Sequence, residues 1–333
     1  MLSTRVLTQR DLARLVDVRL AIRVVRGAFQ AMARGEAVMP PKVYLPLAPY
    51  GDFRAMPAWI KRPAAAGLKW VNVHPGNPRR GLPTVMGLII INDPATGIPW
   101  AILDGVLITQ LRTAAAGAVA AQALARPDSR VMGLLGCGAQ APAQLLALNE
   151  VFQLRRIKVW GYHPGEAQRF CRQMRRRLPR VRFEACATVE SCVRDTEVLV
   201  TLTPSRHPLV KREWLREGVH INAMGADAPG KQELDPKILR AATVVVDERE
   251  QAVHGGELNV PVRKGQFHPR QIYASLGDML IGRRRWRRAR QEITVFDSTG
   301  LAIHDVALGA AAFHRARRRG IGHAFRFFSP SGV

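Results

Sequence analysis

The chain has 333 residues, 47% of them hydrophobic, which is enough for one large or two modest domains with a real core. The longest apolar run, near "VMGLIII", is far too short to span a bilayer, and the charges scattered through "MLSTRVLTQRDLARLVDVRLAIRVV" are unlike a signal peptide. Four cysteines, at 137, 171, 186 and 192, form neither a metal-type CxxC pattern nor a disulfide framework, so a reduced, cytoplasmic protein with no metal site and no membrane partner is expected.

The net charge of +24 is the one unusual number. Arginines cluster at "RQMRRRLPR" (172–180), "GRRRWRRAR" (282–290) and "HRARRRG" (314–320). Such clusters can bind nucleic acid. The first, however, lies on a segment whose apolar residues Phe170, Met174 and Leu178 have helical spacing, the pattern of a solvated helix face. Only Trp286 interrupts the second, and no ladder of stacking aromatics accompanies any of them. Nucleic acid is therefore not an expected partner.

In chain order, a helix is predicted over roughly 8–35, then short strands broken by Pro and Gly. "LPLAPYGDFRAMPAWI", "AGLKWVNVH" and "TVMGLIIIND" are apolar or alternating, and "NDPATGIPWAIL" supplies a hairpin-like turn. From about residue 113 the style changes. "TAAAGAVAAQALA" is a helix of small residues, "RVMGLLGCGAQA" a buried strand entering a glycine loop, "PAQLLALNEVF" a helix and "RIKVWGY" another strand. "EVLVTLTPS", "GVHINAMGA" and "ATVVVDE" continue as buried strands with helical stretches between several of them. This alternation predicts a doubly wound parallel sheet, an α/β architecture. "ITVFDSTGLAIHDVALGAAAFHRA" then gives a last strand, a turn and a helix that returns to the first domain.

Gly136, Gly138 and Ala141 have the spacing G-x-G-x-x-A between a strand and a helix. The first glycine permits a tight turn, the second lets the backbone approach a pyrophosphate, and the small third residue lets helix and strand pack. A dinucleotide is the expected cofactor. The next strand ends on Gly161, Tyr162 and His163, with neither the acid that usually takes the adenosine ribose nor an arginine for a 2′-phosphate, so NAD and NADP both stay open. Asp227, in "VHINAMGADAPGKQELD" (219–235), is either a turn former or an acid serving a closely approaching ligand. Lys69 sits in an apolar strand where desolvation would bring it toward neutral pH, unless its head reaches water along the sheet. Asp104 and Asp297 look like turn or cap residues, and Ser298-Thr299-Gly300 could close over a nicotinamide. His74 suits a structural role, and Cys137 is a small residue that fits between two glycines.

Eight blocks, in order, carry a resemblance: "MPPKVYLPL", "FRAMPAW", "GLKWVNVHPGNPRRGLPTVMGLIIINDPATG", "LRTAAAGAVAA", "GLLGCGAQA", "NAMGADAPGKQELD", "GGELNVP" and "VFDSTGLAIHD". Spanning Met39 to Asp305, they resemble the ornithine cyclodeaminase/mu-crystallin family, most closely its archaeal-type alanine dehydrogenase branch. The resemblance implies a homodimer in which a Rossmann domain (115–305) is inserted into an α+β catalytic and dimerisation domain (1–114 plus 306–333). It implies a nicotinamide cofactor, NAD or NADP, and a small amino or keto acid substrate. It makes Lys69 the proton donor and acceptor, Arg112 the clamp on the substrate carboxylate beside the nicotinamide, and Asp227 the contact to the substrate nitrogen or an attacking water. Ala139, Gln140, Gly161, Tyr162, His163, Asn222, Ala223, Met224, Lys231 and Ser298 fall where the family contacts its cofactor. Arg112 could instead be a structural salt bridge at a helix entry.

In the ornithine-cyclising members a glutamate stands where this chain has Arg54, and a guanidinium repels a second ammonium group. Lys42, Arg54, Lys69 and Arg112 are expected to surround a small anion instead. That favours interconversion of L-alanine and pyruvate plus ammonia, with reduction of a cyclic ketimine, pyrroline- or piperideine-2-carboxylate, as the alternative.

Overall fold

The computed structural model describes residues 3–287 and 289–329. Arg288 of the second arginine cluster, and positions 1–2 and 330–333 at the ends of the expected catalytic domain, lie outside the described residues. The chain divides into two units, one built from its beginning to Arg112 together with everything from Leu301, the other Thr113–Gly300. Boundaries were expected at 114/115 and 305/306. The first falls inside a helix, where no linker marks it. The second falls at Gly300, whose φ of +80° turns the chain just before a helix begins at Ala302.

The first unit starts with strand β1 (Thr4–Leu7). The helix expected over 8–35 is two helices, α1 (Gln9–Ala13) and α2 (Val18–Ala33). Asp17 breaks them apart: its extended backbone (φ −131°, ψ 173°) suits an N-cap, and its Oδ1 accepts the Leu20 N–H at 2.7 Å. There follow β2 (Ala37–Val38), β3 (Val43–Leu47), β4 (Gly51–Ile60), β5 (Ala65–Val73), β6 (Val85–Asn92) and β7 (Pro99–Asp104). The β6–β7 turn is the expected hairpin, closed by the Asp93 carboxylate on the Ala95 N–H and the Thr96 hydroxyl. Helix α3 (Gly105–Leu124) begins eight residues ahead of the predicted small-residue stretch at 113, with Asp104 accepting the Leu107 N–H.

The second unit alternates as predicted. Its elements are β8 (Val131–Leu135), α4 (Ala141–Val151), β9 (Arg156–Trp160), α5 (Glu166–Arg177), β10 (Arg182–Ala185), α6 (Val189–Val193), β11 (Val198–Thr201), β12 (His220–Ala223), α7 (Pro236–Ala241), β13 (Thr243–Val246), α8 (Arg249–Gly255), α9 (Asn259–Arg263), β14 (Ile272–Ser275), α10 (Leu276–Leu280) and β15 (Thr294–Asp297). All pair in parallel, in the order β10-β9-β8-β11-β12-β15-β13-β14. This is a Rossmann-type doubly wound sheet. Its central strands are buried along their length, which explains their unbroken apolar runs. Strand order reverses between β8 and β11, and the crevice at such a switch point, beyond the carboxyl ends of the strands, is where these sheets bind ligands.

Helix α11 (Ala302–Arg319) and strand β16 (His323–Phe325) return to the first unit. Its sheet runs β16-β1-β7-β6-β5-β4-β2, with β3 also on β4. α11 lies against β4, β5 and β6 because Gly309 lacks a side chain there: a Cβ on it would meet Ile91 Cδ1 at 2.9 Å. Among the described residues no helix is long and apolar enough to cross a membrane. Several arginines of the basic clusters have internal partners: Arg175 donates to the Phe183 carbonyl, Arg315 to that of Leu15, and Arg287 to those of Leu124, Gly218 and Glu292. In α5 Phe170 and Met174 of the expected apolar stripe are buried, while Leu178 is the C-cap and only half-buried.

Candidate active site

β4 and β5 pair antiparallel with Met56 opposite Lys69 and Arg54 opposite Val71, so the pleat turns Arg54, Met56 and Lys69 to one face. That face is the buried one. Lys69 is 1% exposed, so its head does not reach water along the sheet. Its Nζ lies 2.7 Å from Asp305 Oδ2 and 3.5 Å from the Thr109 hydroxyl. Arg112, in the second turn of α3, donates from Nε to the other Asp305 oxygen at 3.2 Å. One carboxylate from α11 thus joins the two cations.

Burial depresses Lys69 to about 7; Arg112 acts in the same sense, Asp305 opposes it, and Lys42 adds a smaller depression. Burial pushes the Asp305 carboxyl up, but Arg112 and Lys69 together outweigh it and hold it below the usual range. His304, next in the helix, is depressed to about 3 by burial and then by Arg112, so it is uncharged at neutral pH. Its ring stands edge-on to Phe29 at 4.4 Å, and neither nitrogen has a hydrogen-bond partner among the described residues. The chemical content of the cluster is an amine that can gain or lose a proton near neutrality beside a guanidinium of fixed charge.

Arg54 departs from expectation. Its guanidinium is held by Asp52, at 2.7 Å from Nε and 3.3 Å from Nη2, and lies over the Tyr44 ring at 5.1 Å. Arg54 and Arg112 therefore each carry a matched acid, so the four cations are not an uncompensated anion cage. The Arg112 contact uses Nε and not the paired terminal nitrogens with which a bidentate clamp grips a carboxylate. His74 Nδ1 lies 3.0 Å from Asn72 Nδ2.

Asp227 belongs to the second unit, where its Oδ1 is 2.5 Å from Lys231 Nζ. Lys231, expected at the cofactor, thus serves Asp227. The loop is fixed from beneath by Glu233, which was not foreseen. Glu233 accepts from Thr201 Oγ1 (2.6 Å), Thr203 N and Oγ1 (both 2.7 Å) and Gly225 N (3.0 Å). Glu257 in turn accepts the Glu233 and Leu234 N–H groups, and Asp297 accepts those of Glu257 and Leu258. Burial pushes all three carboxyls up, Glu257 and Asp297 strongly. Asp297 was expected to cap locally; it instead ties its strand end to a distant segment.

The glycine loop has the shape its spacing implies. Gly136 has φ +105°, its N–H bonds the Trp160 carbonyl at 2.9 Å, and a Cβ on it would meet the Leu202 carbonyl oxygen at 3.1 Å. A Cβ on Gly138 would meet nothing within 4 Å among the described residues, so the backbone there is open to a close ligand. Ala139 and Gln140 lead into α4, whose first turn holds a proline. Gly161, Tyr162 and His163 follow β9, with Tyr162 exposed. Asn222, Ala223 and Met224 end β12, and Ser298 follows β15. All these positions share the carboxyl edge of the sheet. Two side chains are otherwise engaged: the Asn222 amide spans Gly117 O and His220 Nε2, and Ser298 Oγ bonds Asp247, which also holds the Thr299 and Gly300 N–H groups. The Ser298–Gly300 segment is therefore anchored. Cys137 is a half-buried thiol, 3.6 Å from the Trp160 carbonyl.

A glycine loop at a switch point is the mark of a dinucleotide-binding fold, and a lysine tuned to neutrality can serve acid–base chemistry; a dinucleotide-dependent oxidoreductase uses both. The comparisons narrow the class. A profile of the ornithine cyclodeaminase/mu-crystallin family matches residues 2–319, and the chain belongs to that family. It is 47% identical over 327 residues to an alanine dehydrogenase of Archaeoglobus fulgidus, covering 98% of this chain and 99% of that one. Among solved structures it is similar to an archaeal alanine dehydrogenase dimer with bound NAD (TM-score 0.94, 47% identity, 98% and 100% covered). It is also similar to the Thermococcus litoralis Δ1-pyrroline-2-carboxylate reductase in complex with NADH and L-proline (TM-score 0.93, 32% identity, 96% and 99% covered).

Proposed function

We propose that the protein is an NAD-dependent alanine dehydrogenase, converting L-alanine, water and NAD+ to pyruvate, ammonium, NADH and a proton, and the reverse. The observation that carries this reading is Lys69, a fully buried amine held near 7 between Asp305 and Arg112. The 47% identity to an alanine dehydrogenase supports the substrate. Arg54 on the same sheet face supports it too, since even a paired guanidinium offers no acceptor to a second substrate ammonium. The open backbone at Gly138 and the strained turn at Gly136 fit a dinucleotide pyrophosphate, and the relatives bound to NAD or NADH support NAD.

The bound dinucleotide supplies one thing, a two-electron hydride acceptor. The chain's residues do the rest. Arg112 leaves Asp305 in part to grip the substrate carboxylate and orient the α-carbon. Neutral Lys69 takes a proton from the water that attacks the iminium carbon; protonated Lys69 returns one so that ammonia departs, or, in reverse, so that the hydroxyl leaves as water. Asp227, paired with Lys231 at 2.5 Å, is assigned the substrate nitrogen.

We also assign the first unit the catalytic and dimerising role and the second the cofactor. The sheet face opposite Lys69 carries Trp59, Trp70 and Leu88 at 38%, 40% and 54% exposure, with Phe53 stacked on Trp70 at 5.1 Å. An apolar patch of that kind is suited to cover by a second copy.

The 32% identity to a pyrroline-2-carboxylate reductase supports a second substrate, because a cyclic imino acid needs the same carboxylate grip. A side-by-side assay of NADH oxidation, with pyruvate plus ammonium against Δ1-pyrroline-2-carboxylate, decides. Alanine dehydrogenase activity gives kcat/KM at least about tenfold higher for pyruvate plus ammonium, a ratio of the size a binding pocket readily supplies. The opposite ratio would replace the first reading with the second.

A further inference from the structure

NAD-binding sheets of this topology end the second strand of the nucleotide fold on an acid that takes the ribose hydroxyls. Here β9 is that strand, and the tip after it, Gly161 to His163, has no acid. The structure supplies one from the next helix. Glu166, the first residue of α5, folds back over Gly161, and its Oε2 accepts the His163 N–H at 3.1 Å. A Cβ built on Gly161 would lie 3.0 Å from that oxygen and 2.7 Å from Glu166 Cβ. The carboxylate therefore occupies the space of the missing strand-end side chain, and only a glycine at 161 admits it.

The glycine loop abuts the same place, with the Gly136 N–H on the Trp160 carbonyl at 2.9 Å. Charge reaches across. The Cys137 thiol is pushed up to about 12, first by burial and next by Glu166, with Arg169 opposing by less. At the loop, the acid outweighs Arg169, whose Nη1 lies 3.1 Å from where a Gly165 Cβ would be. Glu166 Oε1 has no hydrogen-bond partner among the described residues.

We propose that Glu166 receives the 2′-hydroxyl of the adenosine ribose through Oε1 and selects NAD against its 2′-phosphorylated form. The hydroxyl donates to an ionised acceptor, whereas a 2′-phosphate would bring a second anion against the first. This rests on the dinucleotide reading above, and not on which amino acid is oxidised.

The test is equilibrium binding to the full-length protein of NADH and NADPH, and of ADP and 2′,5′-ADP, by wild type and Glu166→Gln. The amide can still accept the His163 N–H, so the start of α5 keeps its bond, and a thermal midpoint checks this. Wild type is expected to bind NADH at least about a hundredfold tighter than NADPH, a ratio within the range of one or two charged contacts, and ADP tighter than 2′,5′-ADP. Glu166→Gln is expected to bring the NADH to NADPH ratio within about tenfold, mainly by tightening NADPH. Equal binding of ADP and 2′,5′-ADP by wild type, or an unchanged ratio in a folded variant, overturns the proposal. Failure to bind any of the four nucleotides would overturn the dinucleotide reading itself.

Discussion

Lys69, Arg112 and Asp305 form a triad whose energetics are readable charge by charge. Two buried cations sharing one buried carboxylate are tolerable only because one cation can be neutral; burial and Arg112 push Lys69 that way, and Asp305 limits the fall. Oxidation of alanine, which needs the neutral amine, is predicted to rise with pH through about 7. Reduction of pyruvate, which needs the ammonium, is predicted to fall through the same range. Asp305→Asn removes the only influence of the three that favours the charged amine. Its pH–kcat rise should move to lower pH, kcat should drop by about a hundredfold, and stability should fall by about 3 kcal/mol as Arg112 loses its acid. A pH profile that does not move would remove Asp305 from this role. Lys69 was legible as a charge inside an apolar strand. Asp305 carries the same signal in "GLAIHDVALGAAAF", an acid in a helix of apolar and small residues, but an acid at the first turn of a helix equally suits the helix dipole. Only the fold shows it facing β5.

Elements were legible where local rules and tertiary packing agree. The parallel strands and the glycine loop are of this kind, since burial on both faces demands unbroken apolar runs. The helix over 8–35 was not, because Asp17 reads equally well as an interior residue until its carboxylate is seen on the Leu20 N–H. The acids Glu233 and Glu257 were equally hidden: their partners are backbone N–H groups and hydroxyls that no spacing reveals. The glycine loop gives a paired prediction. Gly138→Ala meets no neighbour, so thermal stability should hold within about 0.5 kcal/mol while NADH binding weakens by about tenfold or more. Gly136→Ala must adopt φ +105° against the Leu202 carbonyl, so both stability, by about 1–3 kcal/mol, and binding should fall. Calorimetry and nucleotide titration separate the two. Equal NADH affinity in wild type and Gly138→Ala would place the pyrophosphate elsewhere.

At the scale of the whole molecule, the chain leaves one unit, builds a complete parallel sheet and returns through α11, so the residue joining Lys69 to Arg112 is 193 positions from Arg112. Within the basic clusters, Arg175, Arg287 and Arg315 each serve a backbone carbonyl. The apolar sheet face gives the prediction at this scale. Leu88→Asp should convert a dimer of 36.8 kDa chains to monomer in sedimentation, leaving NADH binding within about threefold, since Leu88 and the glycine loop belong to different units and share no partner among the described residues. A Leu88→Asp protein that stays dimeric would move the interface to another surface.

The most direct test of the account is the turnover number for L-alanine oxidation by Lys69→Met, measured beside its NADH affinity. Methionine fills the buried space without a titratable group, so kcat should fall by at least about a thousandfold while NADH binding stays within about threefold of wild type. Turnover within about tenfold of wild type would mean that the proton passes through some other group, and the chemistry assigned to this site would be wrong.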